Sequence, residues 1–162
     1  MSPGARLLDA LEQGGIAQAM RDSMWLYPVV ETVHIVGFII LVGAVILFDL
    51  RVLGLSKRVP VRMLAAHLLP WGAAALVLIV PAGLLMFSSD AGNLVGNRAF
   101  VLKMLLLMLA GANAAAFHMG SFRTAARWDQ GVTAPVSARL HAAASLLLWI
   151  GIVTCGRMIA YA

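Results

Sequence analysis

The sequence predicts an all-α integral membrane protein, an up-down bundle of four spans preceded by a short amphipathic interfacial helix. Three observations carry this reading. Of 162 residues, 62% are hydrophobic and only 12% are charged, the balance of a chain whose solvent is partly lipid. The apolar residues gather into four runs of about 20 residues or more, each enough as a helix to cross a ~30 Å hydrocarbon core. The connections are short and carry basic residues at the run ends, which suits antiparallel neighbours in one bundle and leaves no room for a second domain.

The lead-in, residues 1–23, lacks the charged start and apolar centre of a signal peptide and is expected to stay in the mature protein. Leu7, Leu8, Leu11, Ile16 and Met20 can share one side of a helix interrupted at Gly14 and Gly15, with Arg6, Asp9, Glu12, Arg21 and Asp22 on the others. This is the pattern of an amphipathic helix lying at a membrane interface, here on the periplasmic face.

The first span, about 25–51, opens with the interface anchors Trp25 and Tyr27 and has Pro28 in its first turn, where a missing N–H costs little. It contains Glu31, His34 and Asp49. Ionisable groups inside a span cost a few kcal/mol or more unless they face protein, a partner or a metal, so they are functional-site candidates by default. A basic connection with Lys57, Arg58 and Pro60 leads to the second span, about 61–87, which is expected to kink or loosen at Pro70 and Pro81. The polar link SSDAGNLVGN follows. The third span, about 98–120, is rich in Leu, Met and Ala; Gly111, Ala112 and Ala114 to Ala116 form a small face expected to be buried. A loop with Arg123, Arg127, Trp128, Asp129 and Pro135 then leads to the fourth span, about 140–160.

Basic residues set the orientation. Arg51, Lys57, Arg58 and Arg62 flank the first connection, and Arg123, Arg127 and Arg139 flank the third, so both are expected on the cytoplasmic side of a bacterial inner membrane with both termini outside. The net charge of +5 therefore reads as topology and not as a nucleic-acid footprint. Cys155 is the single cysteine, which excludes an internal disulfide, and no Cys-x-x-Cys-His is present for covalent haem attachment. No nucleophile and base pair, phosphate-binding glycine loop or metalloprotease pattern points to hydrolase chemistry.

This topology sorts the polar residues by depth. Glu31, His34 and Lys103 fall in the outer half. His67 and His141 enter their spans from the cytoplasmic side and should face one another across the diagonal, with His118 and Asp49 in the same inner layer. Imidazoles on diagonal helices at matched depth in an apolar bundle suit axial ligation of haem iron, with Arg or Lys near the membrane surface for the propionates and a carboxylate on the second ring nitrogen. On this reading His67 and His141 hold an inner haem b, and His34, near Lys103, marks an outer one. Asp49 or Glu31 is the orienting carboxylate, and His118 a further ligand.

The first span's VHIVGFIILVGAVILFDLR resembles the opening span of the HemJ protoporphyrinogen oxidases and of the CopD-like copper-resistance membrane proteins. The third span's RAFVLKMLLLMLAGANAAAFH, with Lys103 early and His118 late, also resembles HemJ. The resemblance covers most of the four-span core. It implies a haem-dependent oxidoreductase or electron carrier in which His34 and Lys103 take part in haem binding. The additional histidines, His67 and His141, are features of the broader class of four-helix membrane cytochromes b with two haems. A quinone or a redox partner protein would then be the electron partner.

Two other functions fit the same residues. A copper or other transition-metal transport or handling protein would use His67, His118 and His141 as a three-imidazole site without porphyrin. A structural subunit of a larger membrane complex, or a homo-oligomer, would use the polar residues only to pair helices: single histidines bonded to neighbouring spans, and Lys103 with Glu31 as a buried ion pair. Asp49 and Arg51 can equally mark the membrane edge. The methionines suit packing better than a copper path, and Cys155 suits an inert buried thiol.

Overall fold

The structure is a computed structural model that describes residues 3–161, and among them every regular element is a helix. The elements are α1 (Pro3–Glu12), α2 (Gly15–Asp22), α3 (Leu26–Leu53), α4 (Val61–Ser89), α5 (Ala91–Gly96), α6 (Arg98–Met119) and α7 (Val136–Met158), with 3₁₀ turns at Ser121–Arg127 and Ile159–Tyr161. Four of them, of 22 to 29 residues, are long and apolar enough to cross a membrane.

The boundaries follow local chemistry. Gly54, with φ of 117°, ends α3 in the left-handed region that glycine adopts without a Cβ penalty, and its N–H caps back onto the last turn. Asn97 caps α6 by accepting from the N–H groups of Ala99 and Phe100 at 2.9 and 3.1 Å. Pro135 precedes α7, which starts four residues before the apolar run does; its first turn carries Ser137 and Arg139, so hydropathy alone places the start too late. The link after α4 contains the short helix α5, which its polar composition does not announce. α4 stays helical through Pro70 and Pro81.

Successive long helices alternate in direction. Along α3 and α4, His34 lies by Gly83, Gly37 by Ala75 and Ile79, and Gly72 by Leu41 and Ala44. The α3–α4 approach is close: a Cβ on Gly37 would stand 2.9 Å from Ile79 Cγ1. α3 also packs on α7, and α7 on α6, whereas α4 and α6 do not pack along their length. They meet near one end, where Phe87 and Phe100 stack with centroids 5.7 Å apart. At the other end Leu69 of α4 and Phe117 of α6 share one apolar cluster. Gly111, Ala112 and Ala114 to Ala116, expected to be buried, are exposed on α6, where only Ala110 and Phe117 are buried.

Three apolar clusters hold the chain. Phe38, Leu41, Leu106, Trp149 and Ile152 form a middle belt between α3, α6 and α7. Phe48, Val52, Val61, Phe117, Trp128 and Ala138 close one end. Met20 packs with Val30 and Ala82 at the other, docking α2 on α3 and α4. The lead-in is two short helices with the break at the two glycines, as expected, but Met20 separates from Leu7, Leu11 and Ile16, which remain exposed.

Arg51 organises the Phe48 end. It is buried and donates from Nε to the Val59 carbonyl at 2.6 Å and from one terminal nitrogen to the Asp129 and Lys57 carbonyls at 2.9 and 3.2 Å. Around it, the Asp129 carboxylate accepts from the Arg62 N–H at 2.7 Å, and the Val61 and Gly131 N–H groups bond across to the facing loop. The two connections expected on the same side, 54–60 and 120–135, are knitted together by this guanidinium, by these backbone bonds, and by Lys57 donating to the Thr133 hydroxyl at 3.0 Å and Gln130 to the Arg58 carbonyl at 2.8 Å.

Candidate functional site

The polar residues of the long helices occupy two layers. In one, His34 of α3 lies against α4, its Nδ1 3.0 Å from the Ile79 carbonyl oxygen. A carbonyl only accepts, so Nδ1 carries the proton and Nε2 the lone pair. The ring fits there because residue 83 is glycine: a Cβ at that position would stand 3.1 Å from His34 Cε1 and 3.5 Å from Nδ1. Lys103 of α6 is half-buried and reaches α7, where a Cβ on Gly156 would stand 3.9 Å from both its Cε and Nζ. Lys103 and Glu31 are the charged neighbours of the His34 ring, and Glu31 itself is exposed. His34 and Lys103 each lie beside a glycine of the helix they face, Gly83 and Gly156, while Glu31 is exposed.

The second layer surrounds a cavity of about 70 Å³ lined from all four long helices. Asp49 comes from α3, Leu69 from α4, Asn113 and His118 from α6, and His141 and Ser145 from α7. Phe48 and Phe117 supply aromatic wall, with Phe122 behind them, edge-on to Phe48 at 6.2 Å and tilted against Phe117 at 5.7 Å between centroids. His141 is clamped by Asn113. The amide nitrogen donates to the His141 carbonyl at 3.0 Å, which fixes the amide's orientation, and the amide oxygen then accepts from His141 Nδ1 at 2.8 Å. Here too Nδ1 is the protonated nitrogen and Nε2 carries the lone pair, the arrangement in which a second-nitrogen partner presets an imidazole for a ligand. His118 makes edge contacts with Phe117 and Phe122 at 5.4 and 5.1 Å.

Asp49 is the anomaly of this layer. It is 6% exposed, interacts through its side chain with the Ser145 hydroxyl, and its Oδ2 has no hydrogen-bond partner among the described residues. A buried carboxylate oxygen left unpaired costs several kcal/mol.

His67 does not join this layer's cavity. Leu69 is the α4 residue that lines it, and at ~100° per residue His67 lies about 160° around the helix from Leu69. It is exposed on the side of α4 that carries the exposed Trp71. His67 and His141 are thus not brought face to face, and the three imidazoles of His67, His118 and His141 do not converge. Among the described residues no three His, Cys, Asp or Glu side chains form a group that could hold a metal ion.

A family model described as a family of unknown function, DUF6644, matches residues 23–162. The chain belongs to the DUF6644 family. The DUF6644 match begins directly after α2 and takes in α3 to α7, so both polar layers and the Arg51 knot lie inside it. No curated protein and no solved structure matches the chain.

Three features of this DUF6644 protein escape the histidine pattern: the Asn113 clamp, the glycine seat of His34 and the three-carbonyl contact of Arg51. Asn113 had a usable signal, because an amide in the middle of an apolar span needs a partner as a histidine does. Gly83 and the loop carbonyls had none, since their roles exist only once α3 lies against α4 and the two connections meet.

Proposed function

We propose that this DUF6644 member is a multi-pass protein of the bacterial inner membrane whose four long helices form an up-down bundle with both termini outside. Its function is that of a b-type haem redox protein with one haem in the His34–Lys103 layer. The observation that carries the reading is His34 itself. It is an intramembrane imidazole whose Nδ1 is fixed by a backbone carbonyl, whose Nε2 is left with a lone pair, and whose seat exists because residue 83 is glycine. Neutral imidazole oriented through its other nitrogen is a preferred iron ligand.

The donor set fits that group better here than at the cavity of the second layer. His34 would hold the iron and Lys103 would serve as a second ligand or as a cation for a propionate, and the glycines at 83 and 156 leave both side chains close to neighbouring backbone. The cavity beside His141 is about 70 Å³, well below the ~300–1,000 Å³ usual for cofactor sites, and His67 faces away from it. A bound haem would supply one-electron exchange with a membrane or protein partner. The chain's part is to hold the ring, keep water out and place a cation beside it.

The test is the visible spectrum of full-length, detergent-purified protein from haem-replete cells, oxidised and then reduced with dithionite. A Soret band that shifts on reduction is expected, lost in His34→Ala, weakened or shifted in Lys103→Ala and Gly83→Val, and retained in His67→Ala. Colourless wild-type protein refutes the proposal. Metal analysis of the same sample then separates transition-metal handling from a structural subunit.

A further inference from the structure

The end of the bundle that carries the two knitted connections also carries cations that the fold does not use. Arg58, Arg62, Arg123, Arg127 and Arg139 are exposed there, and among the described residues none of these guanidinium groups has a hydrogen bond or an ion pair. The other cations of this end are spent, Arg51 on loop carbonyls and Lys57 on the Thr133 hydroxyl. The carboxylates nearby cannot balance them. Asp49 is buried, and Asp129 is half-buried with Oδ1 taken by the Arg62 N–H. We infer that this face binds anionic phospholipid, whose phosphodiesters supply the counter-ions that the fold lacks. The inference rests on the membrane-spanning bundle proposed above and not on its haem.

Height selects the partner. Arg62 and Arg139 stand in the first turns of α4 and α7, Arg58 just before α4, and Arg123 and Arg127 in the 3₁₀ turn that follows α6. All five lie within a few residues of the end of an apolar helix, which is the level of lipid headgroups. The two connections bond back onto each other through the Val61 and Gly131 N–H groups and do not rise into a domain that would offer the charges to a soluble partner. The contacts gather the charges into two groups. Arg58, Arg62 and Arg127 leave the chain around Asp129 and Gln130, which bond to the Arg62 N–H at 2.7 Å and the Arg58 carbonyl at 2.8 Å. Arg123 and Arg139 each stand two residues past a serine, and Ser121 and Ser137 are joined through their hydroxyls at 3.1 Å. Orientation in a membrane needs positive charge alone, which lysine supplies as well. A guanidinium fork adds two parallel hydrogen bonds to a phosphate, so each group can hold one phosphodiester. Leu55, Met63 and Leu140 are exposed beside these arginines in the chain, apolar neighbours that suit acyl chains and not a free anion.

The experiment titrates the full chain in neutral detergent with phosphatidylglycerol and, separately, with phosphatidylcholine of the same acyl chains, and reads bound lipid by native mass spectrometry. Phosphatidylglycerol is expected to bind at least about tenfold more tightly, with a preference that shrinks as salt rises from about 50 to about 300 mM. Arg62→Gln with Arg127→Gln, and Arg123→Gln with Arg139→Gln, are each expected to remove one tightly bound anionic lipid. Both pairs should leave phosphatidylcholine binding and the thermal midpoint unchanged, because these side chains hold nothing in the fold. Arg62→Lys with Arg127→Lys should keep the salt dependence and lose severalfold in affinity, since the charge stays and the fork goes. Equal binding of the two lipids overturns the inference, and that comparison needs no variant to fold. Full preference retained in both glutamine pairs overturns it as well. So does displacement of the lipid by an equal concentration of inorganic phosphate, which would make a soluble anion the occupant. The other readings fail separately: chain recovered in the soluble fraction refutes the bundle and this inference together, membrane-bound chain with no lipid preference refutes this inference alone, and colourless protein that prefers the anionic lipid refutes the haem alone.

Discussion

Replacing Arg51 with Met keeps most of the side-chain volume and removes the fork that ties the two loops at the Phe48 end. Three hydrogen bonds go, to Val59 at 2.6 Å, Asp129 at 2.9 Å and Lys57 at 3.2 Å. Not all three carbonyls are orphaned. The Asp129 oxygen still accepts from the Val61 N–H, and the Lys57 oxygen from the Gly131 N–H, both at 2.9 Å. Only the Val59 carbonyl is left without a partner. Hydrogen bonds to a charged group are worth ~1.5–3 kcal/mol, so counting the two short ones at the lower end gives a loss of about 3 kcal/mol. For a chain of this size that lowers the apparent Tm by roughly 6–12 °C. Arg51→Lys keeps the charge but not the fork, and should lose about half as much. Thermal unfolding of the purified protein, followed by circular dichroism at one scan rate, reads the midpoint. Limited proteolysis reads whether residues 54–60 and 128–135 become the first sites cut. A Tm within ~3 °C of wild type in Arg51→Met, with unchanged cleavage, would mean that the loops are held by their apolar packing and that the guanidinium is incidental.

Further outcomes follow from the same contacts. Asn113→Leu removes both clamps on His141, leaving its ring free to rotate; stability should fall by about 1–2 kcal/mol, read by thermal unfolding. Gly37→Ala places a Cβ 2.9 Å from Ile79 and 3.3 Å from the Ala75 carbonyl, whereas Gly43→Ala meets nothing within 4 Å; the first should destabilise by ~1–3 kcal/mol, and the second should be neutral or stabilise by up to ~1 kcal/mol. Met20→Ala empties a side chain that is 1% exposed, at a local cost of ~2–5 kcal/mol. Hydrogen exchange should then rise across α1 and α2 and stay unchanged in α6 and α7.

Depth was legible in the sequence and azimuth was not. The four long helices fall within a few residues of the apolar runs, because span length is a matter of counting residues against lipid thickness. Counting also groups Asp49, His118 and His141, which line one cavity. It groups His67 with them by the same logic, yet His67 points the other way. Which side of α4 faces inward is decided by Gly72, Ala75 and Gly83 lying against α3, and those contacts depend on the facing helix. The small face of α6 fails for the same reason: small residues permit close approach but do not compel it, and α4 does not approach. The interruption at Gly14 and Gly15 was legible in the lead-in, but periodicity put Met20 on one side with Leu7, Leu11 and Ile16, and its docking against Val30 and Ala82 is a tertiary contact that periodicity cannot weigh.

The two polar layers are separated by the middle belt. His34 and Asp49 lie on one helix about 22 Å apart along its axis, as do Lys103 and His118, at 1.5 Å per residue. Between them stand Phe38, Leu41, Val42, Leu106, Ala110 and Trp149. The belt and the two end clusters also carry the packing, which means that His34, Lys103 and His141 contribute little to holding the helices together. Removing any one of them should therefore leave the fold standing while changing what it binds. If the polar residues existed to pair helices, the same substitutions would lower the thermal midpoint and leave the spectrum where it was.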